Sequence, residues 1–100
     1  MTSANYRAAL LDAETGANES YRFEAEPGLF LMPADEIIGV FIDYLNANNY
    51  VNRQVGYELN SAIKKSDKQV VMATGSLVIG HGEIPFLLMI SPANRGGAEK

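Results

Sequence analysis

The chain has 100 residues, of which 47% are hydrophobic and 20% charged, and this composition is that of one globular domain and not of a disordered chain. It contains no cysteine, which excludes disulfides, thiolate metal sites and cysteine nucleophiles. Its net charge of −4 disfavours, without excluding, binding to nucleic acid through the phosphate backbone.

The chain opens with two segments that are typical of β-strands. Residues 6–12 place three apolar side chains on one side of an extended chain, namely Tyr6, Ala8 and Leu10. Residues 19–26 alternate between apolar and charged side chains, which predicts a strand with one buried and one wet face. Gly16 and Asn18 lie between the two segments and favour a turn. We therefore expect an opening β-hairpin.

A helix is predicted from Pro33 to about Ala47. Proline suits the first helical position, because its missing N–H would have no partner there. Asp35 and Glu36 follow in the first turn, where carboxylates interact favourably with the positive end of the helix dipole. Two asparagines, Asn48 and Asn49, then favour a stop.

This predicted helix is apolar around most of its circumference. A helix that lies on one sheet needs an apolar stripe somewhat wider than 100°, and this helix exceeds it. The apolar side chains are Ile37, Ile38, Val40, Phe41, Ile42, Tyr44 and Leu45. We therefore expect another helix, a loop, a second subunit or a binding partner to cover the remainder.

Residues 50–65 fit two different structures. A strand would place four apolar side chains on one face, namely Val55, Tyr57, Leu59 and Ile63. A helix would gather a similar set, namely Val51, Val55, Leu59, Ala62 and Ile63. The segment is rich in asparagine, glycine and other poor helix formers, so we favour the strand and leave the helix open.

The last third of the chain predicts two more strands. Residues 69–79 predict a long strand, with Met72 on one face and Val71 on the other, and Gly75 in its middle suggests a bulge or a close backbone approach. Residues 80–82 form a hairpin tip, and 84–90 are apolar on both faces, which predicts cover on both sides. Residues 91–100 contain no large apolar side chain, which predicts a flexible C-terminal tail.

The expected fold is thus an α+β domain over residues 1–90, with an antiparallel sheet of four to five strands packed by one long helix. The order of elements is ββα, then residues 50–65 as a strand or a second helix, then ββ. Fold alone does not identify function.

Side chains that carry catalytic chemistry are scarce in this sequence. His81 is the only histidine, and with Glu83 it forms a weak candidate for a polar site on a turn. One histidine without cysteine excludes the usual zinc ligand sets, and the acidic residues do not follow a calcium-loop spacing. We expect no catalytic residues, no metal and no cofactor, although enzymatic activity stays open.

The leading interpretation is a small, non-catalytic protein–protein interaction module that forms a homodimer or docks on a larger protein. This interpretation rests on the excess apolar surface of the predicted helix and of the last predicted strand. The candidate interface residues are Ile38, Phe41, Ile42, Leu45, Leu87 and Met89.

Two alternatives accompany this interpretation. The first is a small-molecule binder or minor enzyme with a pocket between helix and sheet, where Tyr21, Tyr44 and Tyr57 would supply hydroxyls. The second is an inhibitor that covers a basic partner surface with acidic side chains. These side chains are Glu14, Glu19, Glu24, Glu26, Asp35 and Glu36.

Nucleic acid and membranes are unlikely partners on sequence grounds. The basic cluster lacks interleaved aromatic side chains for base stacking, and it consists of Arg53, Lys64, Lys65 and Lys68. The longest apolar stretch, residues 84–90, is far shorter than the roughly 20 residues that span a bilayer. The first five residues lack the features of a signal peptide, so a cytoplasmic location is expected.

Overall fold

The computed structural model describes residues 3–48, 54–65 and 69–93. Its elements in chain order are β1 (Ala4–Asp12), β2 (Asn18–Ala25), a short 3-10 helix (Leu29–Leu31), α1 (Ala34–Ala47), β3 (Val55–Lys65), β4 (Val70–Ile79) and β5 (Gly82–Pro92). The strands form one antiparallel sheet in the order β2-β1-β5-β4-β3, and α1 packs on one side of it. The predicted α+β class is confirmed, with five strands and one long helix.

The opening hairpin forms as predicted, and its turn is held by one aspartate. The Asp12 carboxylate accepts hydrogen bonds from the backbone N–H groups of Glu14 at 2.9 Å and Thr15 at 3.2 Å. Gly16 follows with a φ of 83°, a left-handed conformation that glycine adopts without steric cost. This turn aligns Tyr6 opposite Phe23, so both rings point to the same face of the sheet.

The predicted hairpin tip between β4 and β5 is a two-residue loop of Gly80 and His81, with Ile79 paired to Gly82. Gly80 has a φ of 61°, whereas His81 does not have a positive φ. A positive φ at the first central position alone is the pattern of a type II′ turn, which matches the twist of the flanking strands. Glycine is therefore required at position 80 by the backbone.

The helix lies across the inner face of the sheet and is covered within the single chain. Ile38, Phe41, Ile42 and Leu45 are all buried. Both edge strands, β2 and β3, contact the helix. The helix also contacts the 3-10 helix, so part of the cover that we expected beyond the strands comes from the connector that precedes it.

The ends of α1 differ slightly from the prediction. Pro33 is the residue before the first helical turn, and its carbonyl oxygen accepts hydrogen bonds from the N–H groups of Glu36 and Ile37 at 3.0 and 3.1 Å. At the other end, the Asn48 side chain donates to the carbonyl oxygen of Tyr44 at 2.9 Å. Asn49 lies outside the described residues.

Asn46 joins the end of the helix to the start of edge strand β3. Its side-chain amide donates to the carbonyl oxygen of Val55 at 3.1 Å and accepts from the N–H of Val55 at 2.9 Å. One side chain thus satisfies both backbone groups of a buried residue, as a neighbouring strand would.

We expect Asn46→Ala to lower the free energy of unfolding by about 2 kcal/mol, because both backbone groups of Val55 lose their partner in a partly buried place. Urea denaturation of the variant and the parent chain measures this difference. Asn48→Ala is the control and should cost less than about 1 kcal/mol, since Asn48 is exposed. Equal losses in the two variants would contradict the role assigned to Asn46.

Residues 55–65 form a strand, which decides between the two structures left open by the sequence. The strand carries a β-bulge between Leu59 and Ser61. A bulge adds one residue on one strand and reverses the alternation of side chains beyond it. Ile63, expected on the same face as Val55, therefore pairs with Met72 on the opposite face and is 60% exposed.

The bulge in β3 lies opposite Gly75 of β4, where the sequence suggested a bulge or a close approach. Gly75 pairs with Leu59. A Cβ atom at Gly75 would overlap the carbonyl oxygen of Glu58 and would lie 2.9 Å from the Cα atom of Leu59. The close backbone approach is confirmed, and the extra residue belongs to the neighbouring strand.

Strand β5 continues past the predicted end at Ile90. Ser91 and Pro92 belong to the strand, and the N–H of Ala93 donates to the carbonyl oxygen of Asn5 at 3.0 Å. The first residues of the predicted tail are thus part of the sheet. The remainder, 94–100, lies outside the described residues.

Candidate interaction surface on the outer face of the sheet

The outer face of the sheet, turned away from α1, carries two adjacent rows of side chains that cross four strands. We call them the methionine row and the leucine row. In strand order β1, β5, β4 and β3, the methionine row consists of Ala9, Met89, Met72 and Ile63. In the same order, the leucine row consists of Leu11, Leu87, Thr74 and Ser61.

The two rows expose large apolar side chains to solvent. Ile63 is 60% exposed, Met72 44%, Met89 43% and Leu87 36%. Four strands at about 4.8 Å spacing make each row about 14 Å long. A contiguous apolar patch of this kind on a small chain is typical of an interaction site.

A shallow depression of about 210 Å³ lies within this patch. It is lined mainly by apolar side chains of β1, β4 and β5, including Leu11, Met72, Leu87 and Met89. Beside it, Ser61 and Thr74 share a hydrogen bond of 2.9 Å between their hydroxyls. The patch therefore combines a shallow depression, two flexible methionines and the exposed side chain of Ile63. Apolar side chains of a partner can pack against this uneven surface.

Charged side chains flank the apolar rows with opposite sign at the two ends of the strands. Beyond the methionine row, Arg7 and Arg22 are cross-strand neighbours, and Lys65 lies on β3. Beyond the leucine row, Glu58 and Glu83 pair with β4 residues of the outer face. All five side chains belong to exposed residues. Glu24 adds one carboxylate at the basic end.

The structure separates the six candidate interface residues into two groups. Ile38, Phe41, Ile42 and Leu45 lie in the core and offer no surface to a partner in this conformation. Leu87 and Met89 lie on the outer face and are exposed. The expectation that β5 is covered on both sides is met only on the inner face, where its alternate residues are buried: Phe86, Leu88 and Ile90.

Ile63 and Met72 belong to the same patch and were not among the predicted site residues. The alternation of 69–79 already placed Met72 on the face opposite Val71, which is the signal that could have found it. Ile63 could not be assigned in this way, because the bulge at Leu59/Ser61 changes its face.

The side chains of His81 and Glu83, the weak candidates for a polar site, are both exposed to solvent. His81 occupies the type II′ turn, and Glu83 lies on the outer face opposite Val78. Within residues 69–93, no hydrogen bond joins the His81 imidazole to the Glu83 carboxylate. The role of this pair stays untested.

Three cavities lined by described residues do not coincide with the predicted pocket between helix and sheet. The three tyrosines expected there, Tyr21, Tyr44 and Tyr57, line none of them. One of these cavities is an open groove of about 820 Å³ at the end of the sheet near Tyr6, Leu31 and Lys64.

Two polar groups of this groove are hydrogen-bonded within the fold. The Lys64 ammonium donates to the carbonyl oxygen of Met32 at 2.8 Å, and the Tyr6 hydroxyl donates to that of Glu26 at 2.7 Å. Burial raises the pKa of the Tyr6 phenol above its ordinary value of 10.0, while a hydrogen bond with the backbone of Leu29 acts in the opposite direction. A phenol that stays neutral and bonded within the fold acts as a structural anchor.

Three further features are absent from residues 3–48, 54–65 and 69–93. Apart from tyrosine, this part of the chain has no buried polar or charged side chain. It also has no group of three or more histidine or acidic residues that could hold a metal ion, and no helix with the length and apolar character of a membrane span. Of the basic cluster, Lys64 is bonded to Met32 and Lys65 is exposed. Arg53 and Lys68 lie outside the described residues.

Comparisons with protein-family models, curated proteins and solved structures found no match to this chain.

Proposed function

We propose that this chain is a small, non-catalytic protein–protein interaction module whose contact surface is the outer face of its sheet. The observation that carries the proposal is the contiguous exposed patch formed by Ile63, Met72, Leu87 and Met89. Burying such side chains against a partner removes apolar surface from water, which is the main driving force of association. The cysteine-free composition suits a reducing compartment, and we propose a cytoplasmic location.

The face of the sheet is a better contact surface than its edges. An open edge strand invites pairing with another chain unless charges or bulges oppose it. Edge strand β2 carries Glu19, Arg22 and Glu24, and edge strand β3 carries the bulge at Leu59/Ser61. The outer face has no such protection over its two central rows.

The acidic-inhibitor alternative has weaker support than contact through the sheet. Its six carboxylates are all exposed, but they are spread over a loop, a strand and the start of the helix. They are Glu14, Glu19, Glu24, Glu26, Asp35 and Glu36. The geometry does not gather them on one face, whereas the apolar residues of the outer face are contiguous.

Site-specific photocrosslinking tests the proposed surface whichever protein binds there. The full chain would carry benzoylphenylalanine in place of Leu87 and be irradiated in its cell of origin. We expect covalent adducts, with a second copy or with another protein, because Leu87 lies within the patch. Adding Met89→Lys should reduce them at least about tenfold, because it inserts a charge into an apolar contact.

The matched control carries benzoylphenylalanine in place of Asp43, an exposed residue of α1 on the other side of the molecule. This chain should give few adducts. Equal adducts from positions 43 and 87, or none from position 87, would contradict the proposal.

A further inference from the structure

We infer that the outer face binds a second copy of this chain, whose strands run in the opposite direction to those of the first copy. In this arrangement the two sheets pack face to face about a twofold axis that crosses the strands between the methionine row and the leucine row. Like strands of the two copies then lie over one another and run antiparallel. The inference rests on the proposed function and adds both the partner and the orientation.

The distribution of charge on the outer face favours this orientation. An end-for-end turn brings the basic end of one copy over the acidic end of the other. Lys65 of each copy then faces Glu58 of the second, because both residues lie on β3, one step beyond the two rows at opposite ends. Arg7 and Arg22 face the β1–β2 loop, which carries the exposed Glu14. Opposed charges of this kind favour one register over others.

The sizes of the apolar side chains also match in this orientation. The axis places the methionine row of one copy over the leucine row of the other, strand by strand. Ile63 then lies over Ser61, Met72 over Thr74, and Ala9 over Leu11. These three positions set a larger side chain against a smaller one, as interdigitating sheets require, whereas on β5 two large side chains meet, Met89 over Leu87.

The alternative twofold axis, parallel to the strands, conflicts with the same charges. It keeps the basic ends together and inverts the order of the strands. With the axis between β5 and β4, Lys65 of one copy faces Arg7 of the other, since both lie one step beyond the methionine row. Like charges in such proximity disfavour the pairing.

Single-cysteine variants of the full chain test the orientation, because the parent has no cysteine to interfere. Lys65→Cys is mixed with Glu58→Cys in one sample and with Arg7→Cys in another, under mild oxidation. Intact-mass spectrometry separates mixed from like disulfide dimers. We expect the 65–58 mixed dimer to form at least about tenfold faster than the 65–7 dimer, because only positions 65 and 58 face each other across the contact in this orientation.

Charge reversal provides a second measurement that does not depend on disulfide geometry. Sedimentation velocity at micromolar concentrations would compare the parent with Lys65→Glu, Glu58→Lys and the double variant. We expect each single change to weaken self-association about tenfold, because it places like charges opposite each other. The double change exchanges the two charges and should restore association to within about threefold of the parent.

The outcomes distinguish this inference from the proposed function. Self-association with a preference for the 65–7 disulfide, or without rescue in the double variant, would overturn the orientation and leave the interaction surface standing. A strict monomer that still crosslinks from position 87 to another protein would overturn the second copy as occupant. A monomer that gives no adduct from position 87 would overturn both.

Discussion

Phe41→Ala is expected to lower the free energy of unfolding by about 4 kcal/mol, because it removes the centre of an aromatic cluster and leaves a cavity. Phe41 is fully buried. Its ring centroid lies 5.6 Å from that of Tyr21, 5.6 Å from that of Phe23 and 6.3 Å from that of Tyr44. A chain of this length has a total stability of about 5–15 kcal/mol, so the loss is a large fraction of it.

Urea denaturation followed by circular dichroism measures the effect. Asp43→Ala, two residues along the same helix at an exposed position, is the control and should change stability by less than about 0.5 kcal/mol. A loss below about 1.5 kcal/mol in Phe41→Ala would mean that the helix does not pack against β2 as described.

Gly75→Ala is expected to cost about 3 kcal/mol, because its Cβ atom has no room beside the neighbouring strand. The added carbon would overlap the carbonyl oxygen of Glu58 and lie 2.9 Å from the Cα atom of Leu59. These are backbone atoms, so relief requires β3 to move away from β4. The bulge at Leu59/Ser61, and with it the outward position of Ile63, would be strained directly.

Gly56→Ala is the matched control within the same strand pair. A Cβ atom there would lie 3.8 Å from the Cβ atom of Val78, an ordinary contact. We expect stability to stay within about 0.5 kcal/mol of the parent or to rise slightly, because alanine restricts the unfolded chain more than glycine does. Similar unfolding free energies for the Gly75 and Gly56 variants would show that the two strands do not approach closely at Gly75.

The exposed methionines give the proposed surface an adaptable character. Met72 and Met89 pair across β4 and β5 in the centre of the outer face. Unbranched thioether side chains adjust to the surface shape of a partner more readily than branched side chains do. A surface of this kind favours association without requiring that the sheet itself rearrange.

Local signals were sufficient for most of the fold. The alternation around Tyr21 and Phe23 predicts β2, and the acidic first turn with Asp35 and Glu36 predicts the start of α1. Such signals succeed because a strand has a period of two and a helix of 3.6, and each period is visible within a few residues. The strand over residues 55–65 was favoured for a similar local reason, its poor helix formers.

The candidate site was only half visible in the sequence. Apolar periodicity marks a residue as hidden from water but does not say what hides it. Phe41 and Leu87 therefore looked alike as interface residues, yet the first lies in the core and the second on the open face. The difference depends on how the edge strands contact the helix, and no local pattern encodes that contact.

The order of residues was enough to establish the class of the domain, the succession of its elements and the scarcity of catalytic side chains. The folded chain was needed to show that β5 lies in the centre of the sheet beside β1, and that Ile63 joins Met72, Leu87 and Met89 on one face. The physical reason is that strand order and bulges depend on pairing between distant segments. Pairing of this kind fixes which apolar side chains share a surface, whereas each segment alone fixes only which of its own side chains alternate.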